Sequence, residues 1–234
     1  MGSHRNDPWP LGTFLARLPE GARADLLELG AVSRAGDGAT VLRQGEPGTL
    51  VYVILQGLAK ITARVENGEQ ALLAVRVRGD LVGEMAVLGT GVRSADVTAC
   101  GEMCLLGVRG SAFLGYLQRN PVAGFAVSGS LSDRLRWANQ RRLEFVGFGA
   151  DVCLARILVS LAARHGYDTP QGRDTGVPLT RAELGGLIGV REPTVLKAMR
   201  TLADRGLILR GQRRVVIKDV AGLARFAELV PLDR

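Results

Sequence analysis

Leu179-Thr180-Arg181-Ala182-Glu183-Leu184-Gly185-Gly186-Leu187-Ile188-Gly189-Val190-Arg191-Glu192-Pro193-Thr194-Val195-Leu196-Lys197-Ala198-Met199-Arg200-Thr201-Leu202 decides the architecture. Thr180 followed by Glu183 is a capping box, in which hydroxyl and carboxylate each satisfy a free backbone donor at a helix start. The spacing predicts a helix to about Ile188, with Gly189 making the turn. Pro193 is tolerable only in the first turn of a helix, where its missing N–H would be unpaired anyway, so a second helix starts near Glu192. Val195, Met199 and Leu202 form its inner stripe and leave Thr194, Lys197, Arg200 and Thr201 outward or on the flanks. Gly206 ends it. Leu207-Ile208-Leu209 and Val215-Val216-Ile217 then read as strands around Arg210-Gly211-Gln212-Arg213-Arg214, a basic hairpin wing. A helix-turn-helix of this kind would place its second helix in the major groove of DNA, with the wing on backbone phosphates. The bland alternative is a solvated basic face.

Charge supports the first reading. The chain of 234 residues carries 30 Lys and Arg against 23 Asp and Glu, a net +7. Between Leu179 and Lys218 nine positive residues meet three negative ones, so +6 of that excess sits in one C-terminal module. An anion-binding module there, with the rest of the chain serving another purpose, is the expectation. Lysine occurs only at Lys60, Lys197 and Lys218, so the basic character is almost wholly arginine.

Upstream the pattern differs. Leu11 to Leu29 reads as short helices interrupted by Pro19. From Ala31 to Gly110 come short β-branched runs: Thr40-Val41-Leu42, Leu50 to Leu55, Ala59 to Val65, Ala71 to Val77, Ser94 to Ala99 and Cys104 to Val108. Gly45-Glu46-Pro47-Gly48, Gln56-Gly57, Glu66-Asn67-Gly68 and Arg78-Gly79-Asp80 separate them, which predicts an antiparallel sandwich or jelly roll. Pro121 to about Phe145 is a long helix whose small or apolar residues Gly124, Ser128, Leu131, Leu135, Ala138 and Phe145 fall on a heptad seam, with Arg142 interrupting. A dimerisation coiled coil through Leu131, Leu135, Ala138 and Phe145 is expected over mere packing on its own domain. Gly147, Gly149 and Asp151 mark a hinge. Val152 to Ala163 reads as a helix and His165 to Pro178 as a turn-rich loop.

A second candidate site lies in Gly83-Glu84-Met85-Ala86-Val87-Leu88-Gly89-Thr90-Gly91-Val92-Arg93-Ser94-Ala95. Backbone N–H groups of a short helical turn, the Arg93 guanidinium and the Ser94 hydroxyl can all donate to one phosphate. Glu84 can accept from a neutral hydroxyl. Out of context, each is more often an ordinary loop residue.

With these residues the sequence resembles the cyclic-AMP receptor (CRP/FNR) family of bacterial transcription regulators. The resemblance runs from about Phe14 to Val216, through Gly45-Glu46-Pro47-Gly48 with Tyr52, Ile54, Gly57 and Lys60; Gly83-Glu84 with Arg93-Ser94-Ala95; the long helix; and Leu179 to Leu209. It implies an α+β fold: a cyclic-nucleotide-binding β-roll (jelly roll) at 11–118, a dimerisation helix and hinge at 119–147 and a winged helix-turn-helix at 148–234. It also implies Glu84 on a ribose 2′-hydroxyl, Arg93 and Ser94 on a cyclic phosphate, and backbone at Gly83 and Met85 closing the cassette. The family's Thr-Ser pair that touches adenine is not recovered. Anchoring on Arg134-Leu135 gives Ala138-Asn139, and counting back from Asp151 gives Gln140-Arg141. Ala138 has no hydrogen-bonding side chain, Asn139 and Gln140 offer donor and acceptor, and Arg141 only donors.

The DNA reader departs too. Where cyclic-AMP receptors start the recognition helix with Arg-Glu and place a second Arg one turn on, this chain has Glu192-Pro193 and then Lys197. Lysine is a less directional partner for guanine than arginine, so a different operator is expected. Arg191 is placed to compensate. The DNA-binding set is thus Thr180, Arg181, Arg191, Glu192, Thr194, Lys197, Arg200, Arg210 and Arg213.

The resulting expectation is a homodimeric regulator that binds an operator in double-stranded DNA under control of a cyclic nucleotide, cyclic AMP first and cyclic GMP second. Its loop His165 to Gly176 occupies the place where family activators touch RNA polymerase. The alternatives are a regulator that binds DNA without nucleotide and a nucleotide-binding module acting on a protein partner. Catalysis is not expected, for no GxSxG, HExxH or P-loop pattern occurs. Metal, haem and iron–sulfur cofactors are not expected either: Cys100, Cys104 and Cys153 form no CxxC, and His4 and His165 are the only histidines. The odd cysteine number suits a reducing cytoplasm. The longest uncharged stretches, Pro47 to Ala59 and Asn120 to Ser132, are 13 residues each, short of the roughly 20 that span a bilayer, and the N-terminus shows no apolar signal segment.

Overall fold

The computed structural model describes residues 8–64, 68, 70–89, 91–211 and 213–229. Val65, Glu66 and Asn67 of the expected strand end and turn, Thr90 of the cassette and Gln212 of the wing lie outside the described residues. A 3-10 turn (Leu15–Arg17) and α1 (Glu20–Leu27) lead into β1 (Ala31–Ala35), β2 (Thr40–Leu42), β3 (Leu50–Arg64), β4 (Gln70–Val77) and β5 (Leu81–Val82). Then come α2 (Glu84–Leu88), β6 (Asp96–Arg109), α3 (Gly110–Arg119), α4 (Pro121–Gly147) and α5 (Ala150–His165). β7 (Tyr167–Thr169), β8 (Gly172–Asp174), α6 (Arg181–Ile188), α7 (Glu192–Asp204), β9 (Ile208–Arg210), β10 (Val215–Ile217) and α8 (Val220–Phe226) complete the described chain. No described helix is long and apolar enough to cross a membrane.

The chain packs as two units, divided inside α4 between Arg136 and Trp137, with the first residues of β4, to Leu72, grouped with the second. The first is the β-roll. Its sheet runs β1-β6-β3-β4, with β2 on β6 and β5 on β3. The long β3–β6 pairing, from Leu50↔Arg109 to Thr62↔Asp96, is its spine. Each of these strands was expected as two. Gln56-Gly57 is a bulge rather than a turn: Gly57 takes φ 90°, and a Cβ there would sit 2.4 Å from the Glu102 carbonyl oxygen. The register shifts at this point while pairing continues, so a glycine that looks like punctuation bends a strand without ending it. Phe14, Leu26, Val51, Leu106, Phe113 and Tyr116 form the core beneath, joined by Ala123, Ala126 and Val127 of α4. Fully burying each large apolar side chain stabilises the unit by about 1.5–3 kcal/mol.

The second unit surrounds α5, which packs against α6, α7 and α8. Thr180 and Glu183 form the expected capping box, and Gly189 closes α6 with φ 66°. β9 and β10 make the wing. The stretch from His165 to Pro178 corrects the loop expectation. It contains a hairpin, β7–β8, and β8 pairs with β10, giving a sheet of order β7-β8-β10-β9. The Thr169 hydroxyl donates to the Gly172 carbonyl at 2.7 Å across the tight turn. Strands of three residues are too short to show alternation, which is why composition alone read as loop.

Candidate functional site

The cassette is built around two glycines. Gly83 precedes α2 with φ 82°, and a Cβ there would lie 2.5 Å from Arg93 Nη1. Gly48 lies across from it, and a Cβ on Gly48 would come within 2.9 Å of Arg93 Cζ. The Gly45–Gly48 loop holds the 91–93 segment by main-chain bonds: Gly45 N–H to Arg93 O at 2.9 Å, Arg93 N–H to Glu46 O at 3.0 Å and Gly48 N–H to Gly91 O at 2.8 Å. Arg93 is thereby carried inward. It is 6% exposed and donates from Nη1 to Gly83 O and from Nη2 to Leu50 O, both at 2.7 Å. Burial lowers its pKa from the usual arginine value, opposed by Tyr52, Glu84 and Glu46.

Glu84 is 2% exposed at the start of α2. Its Oε1 accepts from Arg134 Nη1 at 2.5 Å, while Arg134 Nη2 donates to Leu81 O at 2.7 Å. Its Oε2 is buried and has no hydrogen-bond donor among the described residues. A buried carboxylate oxygen without a donor is costly, so the site is chemically suited to a ligand hydroxyl. Met85 is half exposed and Ser94 exposed, with no partner for the Ser94 hydroxyl among the described residues beyond Met85 Sδ at 3.9 Å. Arg134, unassigned by sequence reasoning, is thus part of the cassette; its partner is fifty positions away, and no local spacing signals that.

The base-contact candidates separate. Ala138 and Asn139 are exposed on α4. Gln140 is exposed with its amide on Glu144 Oε1 at 3.3 Å. Arg141 lies apart from these: it is 5% exposed, donates from Nη2 to the Leu187 carbonyl and forms an ion pair with Glu144 within the second unit, while its Nε and Nη1 have no hydrogen-bond acceptor among the described residues.

The expected seam residues on α4 lie in different surroundings. Leu131 packs against the β-roll core, and the Phe145 ring lies where a Cβ on Gly189 would meet it at 3.0 Å. Leu135 and Ala138 remain exposed. The buried stripe is Ala123, Ala126, Val127, Ser130, Arg141 and Glu144. Opposite it lie Phe125, Ser128, Ser132, Leu135, Asn139, Arg142 and Val146, all exposed and spaced at alternating intervals of three and four. Phe125 is 77%, Leu135 63% and Val146 90% exposed. This stripe has the same spacing as the expected seam and shares Ser128, Leu135 and Arg142 with it.

In the second unit α7 buries Val195, Ala198, Met199 and Leu202 and exposes Arg191, Glu192, Thr194, Lys197 and Arg200. Arg181 is exposed at the start of α6, 3.9 Å from Glu192. Thr180 is half-buried, its hydroxyl accepting from Glu183 N–H at 3.2 Å. Arg210 and Arg213 stand exposed on the wing. Arg214 is turned aside toward the Tyr167 hydroxyl and Asp174.

Comparisons with known proteins agree with this arrangement. Residues 33–120 match the family described as cyclic nucleotide-binding domain, and residues 154–226 match the Crp-like helix-turn-helix domain. The CRP-like cAMP-activated global transcriptional regulator of Mycobacterium tuberculosis is 30% identical over 190 residues, covering 81% of this chain and 85% of that protein. The cyclic AMP receptor protein of Thermus thermophilus is 27% identical over 81% of this chain and 85% of its own length. Among solved structures, the c-di-GMP responsive global regulator CLP of Xanthomonas campestris superposes with a TM-score of 0.76 at 20% identity, covering 86% of this chain and all of that one, a likeness of fold.

Proposed function

The chain belongs to the CRP/FNR family of transcription regulators, which makes it a ligand-responsive DNA-binding protein and not an enzyme, and we propose that cyclic AMP is its effector. The observation that carries this is Glu84 Oε2, a buried acceptor beside a buried guanidinium and lacking a donor among the described residues. A ribose hydroxyl supplies the missing donor. Arg93 uses two of its five N–H groups on carbonyls, leaving others for phosphate oxygens, with Ser94 and the backbone at Gly83 and Met85 beside it. The names of the Mycobacterium and Thermus relatives favour the cyclic AMP effector. Asn139 is the base contact that remains open.

The chain acts as a homodimer through Phe125, Leu135 and Val146, in three functional parts at 11–118, 119–147 and 148–234. Its α7 enters the major groove of an operator, with Lys197 and Arg200 toward base edges, Arg191, Glu192 and Thr194 at the leading end, and Thr180, Arg181, Arg210 and Arg213 on phosphates. Nucleotide shifts operator affinity only by binding one arrangement of the dimer better than the other.

A second reading has its own support. Arg93 and Glu84 already hold internal partners in Gly83 O, Leu50 O and Arg134, an arrangement that suits a regulator active without nucleotide. Calorimetric titration with cyclic AMP and cyclic GMP, repeated on Glu84→Ala and Arg93→Ala, separates the two. Saturable cyclic AMP binding lost in both variants supports the first. No binding by the unaltered chain, with full operator affinity, establishes the second.

A further inference from the structure

The cluster around Glu144, at the end of α4, belongs to neither the cassette nor the DNA-facing surface. Glu144 is 7% exposed. Its carboxylate accepts from Arg156 Nη1 at 3.3 Å and Gln140 Nε2 at 3.3 Å, and forms an ion pair with Arg141, whose Nε lies 3.4 Å away. Both arginines reach onward to helix C-terminal ends. Arg141 Nη2 donates to the carbonyl of Leu187, in the last turn of α6. Arg156 donates from Nε to Ala227 O at 2.8 Å and from Nη2 to Glu228 O at 3.1 Å, just past α8. Aromatic rings enclose the pair: Arg141 lies 5.1 Å from the Trp137 ring and 5.5 Å from that of Phe145, and Arg156 lies 4.0 Å from that of Phe148. The Phe145 ring in turn abuts Gly189, the turn residue of the helix-turn-helix. The Cys153 thiol donates to Glu144 O at 3.4 Å.

A buried carboxylate shared by a buried guanidinium, Arg141, and a half-buried one, Arg156, holds its surroundings in one geometry, because losing Glu144 leaves the buried Arg141 charge uncompensated. Burial brings Arg141 down to about 10, opposed chiefly by Glu144, so it remains a cation at neutral pH and keeps needing that partner. The path from α4 to the reading helix is short: Glu144 to Arg141, Arg141 to the carbonyl end of α6, Phe145 to Gly189, and then α7.

We propose that Glu144 is a positioning residue for the DNA-reading helix: through Arg141 and Arg156 it fastens the last three turns of α4 to the helix-turn-helix, so that these turns and α7 move as one piece. The turn at Phe148 and Gly149 between α4 and α5 is then a rigid corner and not the hinge expected from Gly147, Gly149 and Asp151. The role of α7 in this statement rests on the DNA-binding reading; the fastening does not.

Hydrogen exchange on the full chain tests the fastening without any ligand. In Glu144→Gln, amides of residues 140–148 and 186–196 exchange on the order of tenfold faster, while residues 97–108 of β6 are unchanged. Faster exchange confined to 140–148 overturns the proposal. If Glu144→Gln does not fold, Arg141→Lys decides: it keeps the charge but loses the fork that reaches both Glu144 and Leu187, so 186–196 speeds up, and an unchanged 186–196 overturns the proposal. A second readout separates positioning from contact. Glu144→Gln weakens binding to a duplex about tenfold with the salt slope of binding unchanged, since no phosphate partner is removed. A slope that falls with the affinity also overturns it. Failure of the unaltered chain to bind any duplex would sink the DNA reading and leave the exchange result to judge the fastening.

Discussion

Replacing both wing arginines, Arg210→Gln with Arg213→Gln, should change how DNA binding responds to salt by an amount that can be worked from the structure. Three exposed cations per chain are assigned to phosphates: Arg181, Arg210 and Arg213. If all three neutralise phosphates in a dimer, six counterions are displaced, and log K falls against log salt with a slope of about −5, at about 0.9 per phosphate. Between 50 and 200 mM salt the affinity then drops by about 10³-fold. The double variant removes four cations per dimer, so the slope relaxes to about −2 and the drop to about tenfold. Fluorescence anisotropy of a labelled duplex, titrated at four salt concentrations, measures both slopes. The number also tests assembly, because a monomer would start near about −3 and lose only about 2. A slope that changes by less than about 1 would show that the wing does not touch phosphate and would refute this use of the basic hairpin.

Other perturbations reach the remaining parts of the molecule. His165 is held down to about 4 by burial and by Arg164, so the unfolded chain takes its proton below the usual 6.5 while the folded chain does so only near 4. Stability is therefore lost as pH falls through that window, by about 2 kcal/mol at pH 5 relative to pH 8; His165→Gln should remove this part, and equal pH dependence in urea unfolding of both proteins would count against it. Gly83→Ala forces a Cβ into a left-handed conformation 2.5 Å from Arg93 Nη1. It should cost about 1–2 kcal/mol in urea unfolding and cut nucleotide affinity at least about tenfold; wild-type affinity would disprove the cradle. Phe125→Glu with Val146→Glu should weaken the dimer on the order of 100-fold in sedimentation equilibrium without altering circular dichroism, and an unaffected dimer would move the seam elsewhere.

What could be read from the sequence is what is encoded within a few residues. The capping box of Thr180 and Glu183, the Gly189 turn and the inner stripe of α7 are each local, and they stand in the structure as expected. The cassette came instead through the family resemblance, Gly45 to Gly48 reading locally only as a separator between strands. Three things were not legible. The Glu84–Arg134 pair joins residues fifty apart and leaves no local trace. The hairpin β7–β8 is carried by three-residue strands whose pairing with β10 is a tertiary event. The outward face of α4 depended on which of two neighbouring stripes the β-roll and the second unit would cover, and a heptad count is blind to that.

Arginine usage links these misses. Segment counting assigned the charge excess to DNA and, in the near-neutral remainder, singled out Arg93 alone, for a phosphate. Yet Arg93, Arg134, Arg141 and Arg156 are turned inward, and every one donates to main-chain carbonyls: Gly83 and Leu50, Leu81, Leu187, Ala227 and Glu228. Three of the four also hold a carboxylate, Glu84 or Glu144. A planar fork with five donors serves a carbonyl and a carboxylate at once, whereas an ammonium offers one point of charge and a larger hydration cost. Net charge cannot register such a residue, because its acid partner cancels it. The same cancellation is why the neutral part of the chain holds both the cassette and the fastening of α4: a cation paired inside the fold disappears from the sum while fixing the geometry through which the exposed cations act.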